Sequence, residues 1–190
     1  MEKINLNDIV GSNAYEQKRA DFRREIIDLK KHRRVSVGDK VSLVFENRAT
    51  VIFQIQEMLR AESIRDLDKI REEIDVYNEL IPDAGELRAT LFLEIEDQTD
   101  LRGELLKFLG IDERVFLRIG GEHMVRARFE EGRSKEDKIS AVQYITFGLT
   151  PDEAEALRER DASLVVDHEN YHAEVLLTPA TKAELLSDLG

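Results

Sequence analysis

Residues 45–62 constrain the fold of this chain more than any other stretch of its sequence. Apolar side chains recur there at the i, i+4, i+7 and i+8 spacing that is typical of a core helix. These side chains are Val51, Ile55, Met58 and Leu59. Phe53 and several long polar residues lie on the other faces, so we expect protein to enclose the helix on most sides. Its buried polar groups then need hydrogen-bonding partners, which marks this helix as a candidate site.

Four polar side chains on or next to this helix form a predicted ligand-binding site. They are Arg48, Gln56, Glu57 and Arg60, with Glu46 as a further carboxylate nearby. Arg48 or Arg60 would hold a carboxylate or a phosphate through two parallel N–H bonds. The alternative is a buried hydrogen-bond network that joins the helical half to the sheet. Both interpretations predict that truncating Arg60 is harmful, but only ligand binding predicts a stable, inactive variant.

The composition excludes several classes of function. The chain has 190 residues, enough for a core without staples, and no cysteine, which rules out disulfides, iron–sulfur ligation by this chain and cysteine nucleophiles. A net charge of −12 argues against general nucleic-acid binding, because a duplex would repel most of the surface. The apolar runs are too short to span a membrane, and the polar start Met1-Glu2-Lys3 is not a signal peptide. The sequence therefore predicts a cytoplasmic protein that binds no membrane.

Up to about residue 82 the pattern predicts helices with one short hairpin. Asn13 and Glu16 resemble a capping box at the start of a long first helix. Strands at 35–37 and 41–45 surround a glycine-containing turn and lead into the core helix. A third helix follows and ends before Pro82.

Beyond this proline the period of the apolar residues changes to two, which predicts strands with one buried face. A pair of glycines joins strands at 114–119 and 124–129 into a hairpin. Thr150-Pro151-Asp152-Glu153 predicts the start of a short helix, because it combines a threonine cap, a proline at the first helical position and a capping glutamate. A last strand pair encloses residues 167–172, and a final helix follows it.

We therefore predict the α+β class, with N-terminal helices and a short hairpin packed on a mostly antiparallel sheet with short helices. The sequence shows no internal repeat and no linker rich in glycine, proline or serine. A single domain over residues 1–190 is expected, with a helical half at about 1–82 and a sheet-rich half at about 83–190.

The segment 18–34 is strongly basic within an acidic chain. Its cationic side chains are Lys18, Arg19, Arg23, Arg24, Lys30, Lys31, Arg33 and Arg34, with His32 among them. One interpretation is a solvated helix face that pairs with acidic neighbours, since most charge runs have this origin. The other is a docking surface for an acidic partner protein or a phosphate ligand.

Three histidines and one aspartate form the predicted metal site. His168 and His172 could reach one cation across a tight turn, and Asp167 could supply an oxygen, a set compatible with zinc, iron or manganese. His123 has the same strand parity as buried neighbours and would complete a three-histidine site if the sheet brought it close. Because alternate residues of a strand point to opposite faces, histidines that bind no metal are the alternative.

Several other chemistries lack their motifs. The sequence contains no Walker lysine loop, no dinucleotide-binding glycine fingerprint, no nucleophile elbow and no His-Glu-x-x-His pair. Aromatic residues are few and do not alternate with the basic segment, which argues against an RNA-stacking platform.

Short segments along nearly the whole chain carry a family resemblance. They are Lys31-His32-Arg33-Arg34-Val35, Phe45-Glu46-Asn47-Arg48, Gln54-Ile55-Gln56-Glu57-Met58-Leu59-Arg60, Tyr77-Asn78-Glu79-Leu80-Ile81-Pro82, Ser140-Ala141-Val142 and Asp167-His168 with Tyr171-His172. In content and order they resemble a bacterial family of about this length, domain of unknown function 3501. Genes of this family often lie beside those for rubrerythrin-like di-iron proteins and iron–sulfur oxidoreductases, so the resemblance implies a redox or metalloprotein partner.

Three functions from different classes stay open. The first is an accessory or interaction protein that docks on such a redox partner. The second is a small metal-dependent enzyme that uses Asp167, His168 and His172. The third is a non-catalytic module that binds an anion or another ligand around Arg48 and Arg60. A homo-oligomer is compatible with each of them.

Overall fold

Helices and strands follow one another along the chain, of which a computed structural model describes residues 1–96, 99–130, 134–135 and 138–189. The helices are α1 (Ser12–Lys30), α2 (Arg48–Ala61), α3 (Leu67–Asn78), α4 (Leu101–Leu106), α5 (Pro151–Glu159) and α6 (Pro179–Leu189), with 3₁₀ turns at Leu6–Asp8 and Ile111–Glu113. Within the described residues, no helix is both long and apolar enough to cross a membrane.

The strands form two main sheets. They are β1 (Arg34–Val37), β2 (Val41–Phe45), β3 (Glu86–Leu93), β4 (Val115–Ile119), β5 (His123–Arg126), β6 (Arg128–Phe129), β7 (Ser134–Lys135), β8 (Lys138–Ile139), β9 (Val142–Gly148), β10 (Ala162–His168) and β11 (Tyr171–Leu176). A five-stranded sheet has the order β1-β2-β3-β9-β6, and a four-stranded sheet has the order β11-β10-β4-β5. β7 and β8 pair with each other.

This architecture confirms the predicted α+β class with antiparallel pairing. Within the five-stranded sheet, β2 from the helical half pairs with β3 from the sheet-rich half, in a register that sets Leu43 opposite Leu91. The two halves therefore share one sheet.

The two main sheets also share a hydrophobic core. Leu43 and Phe147 of the five-stranded sheet belong to the same buried cluster as Leu117 of the four-stranded sheet. α5 and α6 add Leu157 and Leu185 to this cluster. Each of these side chains is fully withdrawn from solvent. The burial of so many large aliphatic groups is the main force that holds the sheets together.

A helical layer packs on the other face of the five-stranded sheet. Its core is formed by Val51, Ile55 and Leu59 of α2 and by Ile74 of α3, and Tyr144 of β9 packs against them from the sheet. The stripe that the sequence predicts on the core helix thus faces a separate, smaller cluster between the helices and the sheet.

α2 begins later than the stretch at 45–62 suggests. Its N-cap is Asn47, whose side chain accepts the N–H of Thr50 at 3.0 Å while the Thr50 hydroxyl accepts the N–H of Asn47 at 2.9 Å. Phe45 therefore ends β2, and Glu46 lies between the strand and the helix. The predicted stripe is buried except at Met58, which is half-buried.

The first helix starts differently from the prediction. α1 begins at Ser12 with Gly11 in the N-cap position and without a capping side chain, so the predicted capping box at Asn13 and Glu16 is wrong. Glu16 forms an ion pair with Arg60 instead. This long-range pair connects α1 to α2.

Two strand predictions also need correction. The strand predicted over 124–129 is divided, because β5 pairs with β4 in one sheet whereas β6 pairs with β9 in the other. The last strand pair is longer than predicted, since β10 reaches His168 and β11 starts at Tyr171. Residues Glu169 and Asn170 alone form its turn.

Candidate functional site

Gln56 lies buried on α2 and holds the segment that precedes α1. Its Oε1 atom accepts the N–H of Val10 at 2.7 Å, and its Nε2 atom donates to the Val10 carbonyl at 3.1 Å. A side-chain amide that satisfies both backbone groups of one residue acts like a short piece of strand pairing. Gln56 therefore fixes the entry to α1 against α2.

Glu57 joins the same two helices through charge. Its carboxylate accepts from Arg19 Nε and Nη2, each at 2.7 Å, and from the Tyr15 hydroxyl at 2.8 Å. The hydrogen bonds from Arg19 lower the pKa of Glu57 to about 2. Burial, with the bond to Glu57, raises the pKa of Tyr15. At neutral pH this group is a charged, half-buried connection between α1 and α2.

The two arginines of the predicted ligand site both have carboxylate partners. Arg48 Nη2 lies 2.6 Å from Asp8 Oδ1, and Arg60 Nε donates to Glu16 at 2.5 Å. The pKa of Asp8 is lowered, first by the backbone N–H of Asn5 and then by Arg48. These contacts form a partly exposed network that joins α2 to α1 and to residues before it, whereas the alternative to ligand binding is a buried network that reaches the sheet. A role for the four residues in binding an anion stays a prediction.

A large groove lies beside these contacts, and we call it the helical groove. Its volume is about 770 Å³, and the start of α1, the end of α2 and the start of α3 line it. Gln56 and Arg60 belong to its lining, whereas Arg48 and Glu57 do not. Most of the lining residues are exposed, and Val10 and Leu67 are large apolar side chains among them. The groove therefore offers apolar surface to solvent.

The predicted metal site divides between the two faces of the β10–β11 hairpin. His168 is buried opposite Tyr171, while Asp167 and His172 form an exposed pair with 3.0 Å between Oδ1 and Nδ1. Nδ1 of His168 accepts the N–H of Asn170 at 3.2 Å, so Nε2 carries the proton and faces the Leu109 carbonyl at 2.7 Å. Both ring nitrogens of His168 thus have backbone partners.

His123 begins β5 and is half-buried opposite Ile119. Across residues 1–96, 99–130 and 138–189, no three histidine, aspartate or glutamate side chains are arranged to hold a metal ion. The structure therefore pairs Asp167 with His172 but brings neither His123 nor His168 into that pair. Metal binding by these residues stays a prediction without a geometric basis.

The basic segment is mostly occupied by internal contacts. Arg19 binds Glu57, Arg24 and Lys31 pair with aspartates on the same helix, and Arg34 pairs with Glu94. This pattern is the one expected for a helix face that pairs with acidic neighbours. Lys18 and Arg23 are exposed on the same helix, so a docking surface there stays a prediction.

Arg33, in the same segment, forms a buried ion pair that the sequence does not reveal. Its guanidinium binds both carboxylate oxygens of Asp188 at 2.7 and 2.9 Å, and Glu184 at 3.0 Å. Burial raises the pKa of Asp188, and the bonds from Arg33 oppose this effect. Only a fold that carries α6 back to the start of β1 brings these residues together.

A second pocket was also hidden from sequence reasoning, and we call it the Glu46 pocket. It has a volume of about 190 Å³ between the segment that follows α3 and the five-stranded sheet. Glu46 is only 3% exposed and lines it together with Arg88, Phe129 and Tyr144. The sequence signal for a buried Glu46 was its position between a buried strand and the N-cap of α2.

Comparisons with known proteins agree on the fold and name no activity. A family model described as "Protein of unknown function (DUF3501)" matches residues 3–189. A crystal structure of a protein of unknown function from Burkholderia pseudomallei K96243 is similar over 100% of both chains, with 34% sequence identity and a TM-score of 0.93. No curated protein matches the chain.

Proposed function

The chain belongs to the DUF3501 family, and we propose that it is a non-catalytic interaction protein that binds a segment of a partner protein in the helical groove. The observation that carries this proposal is the apolar rim of the groove. Leu67 at the start of α3 is 55% exposed, and Val10 before α1, which also lines the groove, is exposed too. Exposed apolar groups that gather around a concavity are typical of protein interaction sites.

The charges of the groove suit an acidic segment. Arg65, in the loop between α2 and α3, lines the groove and has no ion pair in the described part of the chain. Arg60 also lines it and is partly neutralised by Glu16. A partner segment with apolar side chains followed by a carboxylate would therefore meet complementary surface.

The identity of the partner rests on the family resemblance alone. Gene neighbours of the family suggest a rubrerythrin-like di-iron protein or an iron–sulfur oxidoreductase, so the proposed role is that of an accessory protein for a redox or metalloprotein. The cytoplasm is the compartment that we propose, because the chain lacks cysteine and long apolar runs. A metal-dependent enzyme has no comparable observation in its favour.

Two exposed apolar residues of α3 provide a matched test. Leu67→Glu places a charge on the rim, whereas Val76→Glu places the same charge on the same helix at a residue outside the groove that is 66% exposed. We expect Leu67→Glu to weaken binding of the redox partner at least tenfold, and Val76→Glu to leave it unchanged. Calorimetric titration with a rubrerythrin-like protein and an iron–sulfur oxidoreductase from the same organism measures this. Thermal melting should show both variants folded.

Arg65→Glu tests the charge separately from the apolar rim. We expect this variant to slow association and to weaken the dependence of binding on ionic strength, because rim charges act mainly on the encounter rate. Equal binding by the wild type and Leu67→Glu, or no binding of either candidate partner, would remove the proposal.

A further inference from the structure

Glu46 is a buried carboxylate without a cationic partner. Its Oε1 atom accepts the Thr90 hydroxyl at 2.7 Å, and its Oε2 atom faces the Thr50 hydroxyl at 2.5 Å and Gln54 Nε2 at 2.9 Å. All three partners are neutral, and no ion pair in the described part of the chain includes Glu46. Buried carboxylates are normally paired with a cation, so this arrangement needs an explanation.

Two arginines lie near Glu46, but both form ion pairs with other carboxylates. Arg88 lines the Glu46 pocket, yet its guanidinium binds Glu86 at 3.0 Å and Asp83 at 3.1 Å and also contacts the Glu79 carbonyl. Arg128 lines it as well and binds Glu86 at 2.6 Å. Both arginines are therefore committed to carboxylates other than Glu46.

The start of α2 supports the carboxylate without a counter-ion. Glu46 directly precedes the N-cap Asn47, where the helix dipole favours negative charge. Thr50 and Gln54, which lie on the first turns of α2, hold one carboxylate oxygen, and Thr90 of β3 holds the other. A carboxylate supported in this way is fixed in position before any ligand arrives.

The pocket next to Glu46 is small and partly apolar, so it suits a ligand of only a few heavy atoms. Its volume of about 190 Å³ lies below the range of roughly 300–1,000 Å³ that is typical of drug-sized pockets. Tyr144 contributes an aromatic ring and Leu80 contributes aliphatic surface, since both side chains lie on the helical-layer side of the sheet. Aromatic faces attract cations, and the aliphatic groups suit a short hydrocarbon stem.

From this juxtaposition we propose that the Glu46 pocket binds a small aliphatic ammonium compound, with the ammonium on the Glu46 carboxylate and the stem against Tyr144 and Leu80. An anion is disfavoured because Glu46 would repel it. Glu79 and Glu130 also line the pocket, but a bare metal ion is disfavoured because no three histidine, aspartate or glutamate side chains among the described residues are grouped to hold one. This site is separate from the helical groove, and the two proposals fail or stand independently.

The experiment compares n-butylammonium with n-butanol, which has a similar shape without the charge. Calorimetric titration of the wild-type protein should show one site for n-butylammonium and at least tenfold weaker binding of n-butanol. A ligand that binds only the folded state also raises the melting temperature, so thermal shift provides a second readout. Equal responses to the two compounds, or none to either, would overturn the proposal.

Two variants locate the site. Glu46→Gln keeps the shape of the side chain and removes its charge, and we expect it to weaken n-butylammonium binding at least tenfold. Thr146→Phe fills the pocket from a half-buried position and leaves Glu46 in place, so it should abolish binding even if Glu46→Gln folds poorly. Leu67→Glu, in the helical groove, should bind n-butylammonium as the wild type does. Unchanged affinity in Thr146→Phe would place the ligand elsewhere and end the proposal.

Discussion

Arg33 and Glu46 lie at the same end of one hairpin, since Arg33 precedes β1, Glu46 follows β2, and the Arg33 carbonyl accepts the N–H of Phe45 at 2.9 Å. Their side chains are 1% and 3% exposed. Arg33 meets two carboxylates of α6, on the side where the sheets share their core. Glu46 meets three neutral donors beside the helical layer.

The partners of the two buried charges distinguish a charge with a structural role, Arg33, from a charge at a candidate site, Glu46. A buried charge that its own fold compensates has its role within the fold, and its removal leaves the partner stranded. A buried charge that has only neutral partners costs stability and stays available for an external counter-charge. We therefore expect variants at the two positions to differ sharply, with Glu57 between them.

Arg33→Met should have the largest effect. It leaves Asp188 buried without its cation, and breaking a buried pair from one side costs about 3–5 kcal/mol in the free energy of unfolding. Urea denaturation at pH 7 measures this loss. Arg24→Met, in an exposed pair on α1, is the control and should unfold as the wild type does.

A double variant sharpens this result. Arg33→Met with Asp188→Leu replaces the pair with apolar groups, so it should recover most of the loss, because no buried charge is then uncompensated. A double variant as unstable as the single one would mean that the geometry of the pair, and not its charge balance, holds α6.

Glu57→Gln should have an intermediate effect that depends on pH. The pKa of Glu57 is about 2 in the fold, below the ordinary value of 4.5, so its carboxylate stabilises the protein above pH 4.5. This stabilisation is lost as the pH falls towards 2. We expect Glu57→Gln to lose about 1–2 kcal/mol at pH 7, since the pair is half-buried. The stability difference from the wild type should shrink between pH 4.5 and pH 2, and a constant difference would contradict the assignment.

Glu46→Gln should have the smallest effect on stability when no ligand is present. No ion pair is lost, and the hydroxyls of Thr50 and Thr90 can reorient towards the amide, so we expect a change below about 1 kcal/mol. Urea denaturation in amine-free buffer measures it. A loss as large as that of Arg33→Met would make Glu46 a structural charge and erase the contrast between the two regions.

Much of the fold follows from local chemistry in the sequence. The cap at Thr150, the hairpin around Gly38 and the stripe on α2 specify their elements because each depends on neighbouring residues. The division of residues 123–129 between two sheets could not be predicted in this way. It depends on which distant strand each short segment meets, and the alternation of side chains is the same in either sheet.

The candidate sites were harder to predict than the fold. The sequence identifies Gln56 and Glu57 as polar residues that point inward. Their partners lie on α1 and before it, and no local sequence pattern predicts these contacts. His168 and His172 look like a pair along the chain, yet strand geometry turns them to opposite faces. Thr90, which completes the surroundings of Glu46, comes from a strand of the other half.

One uninterrupted run of chain, from β5 to β6, belongs to both main sheets, and the Ala127 amide at its crossing point donates to the Val115 carbonyl at 2.9 Å. The two sheets therefore cannot separate while this run stays paired. Hydrogen exchange at the Ala127 amide should then be among the slowest in the molecule, because this amide is exposed to solvent only when both sheets unfold.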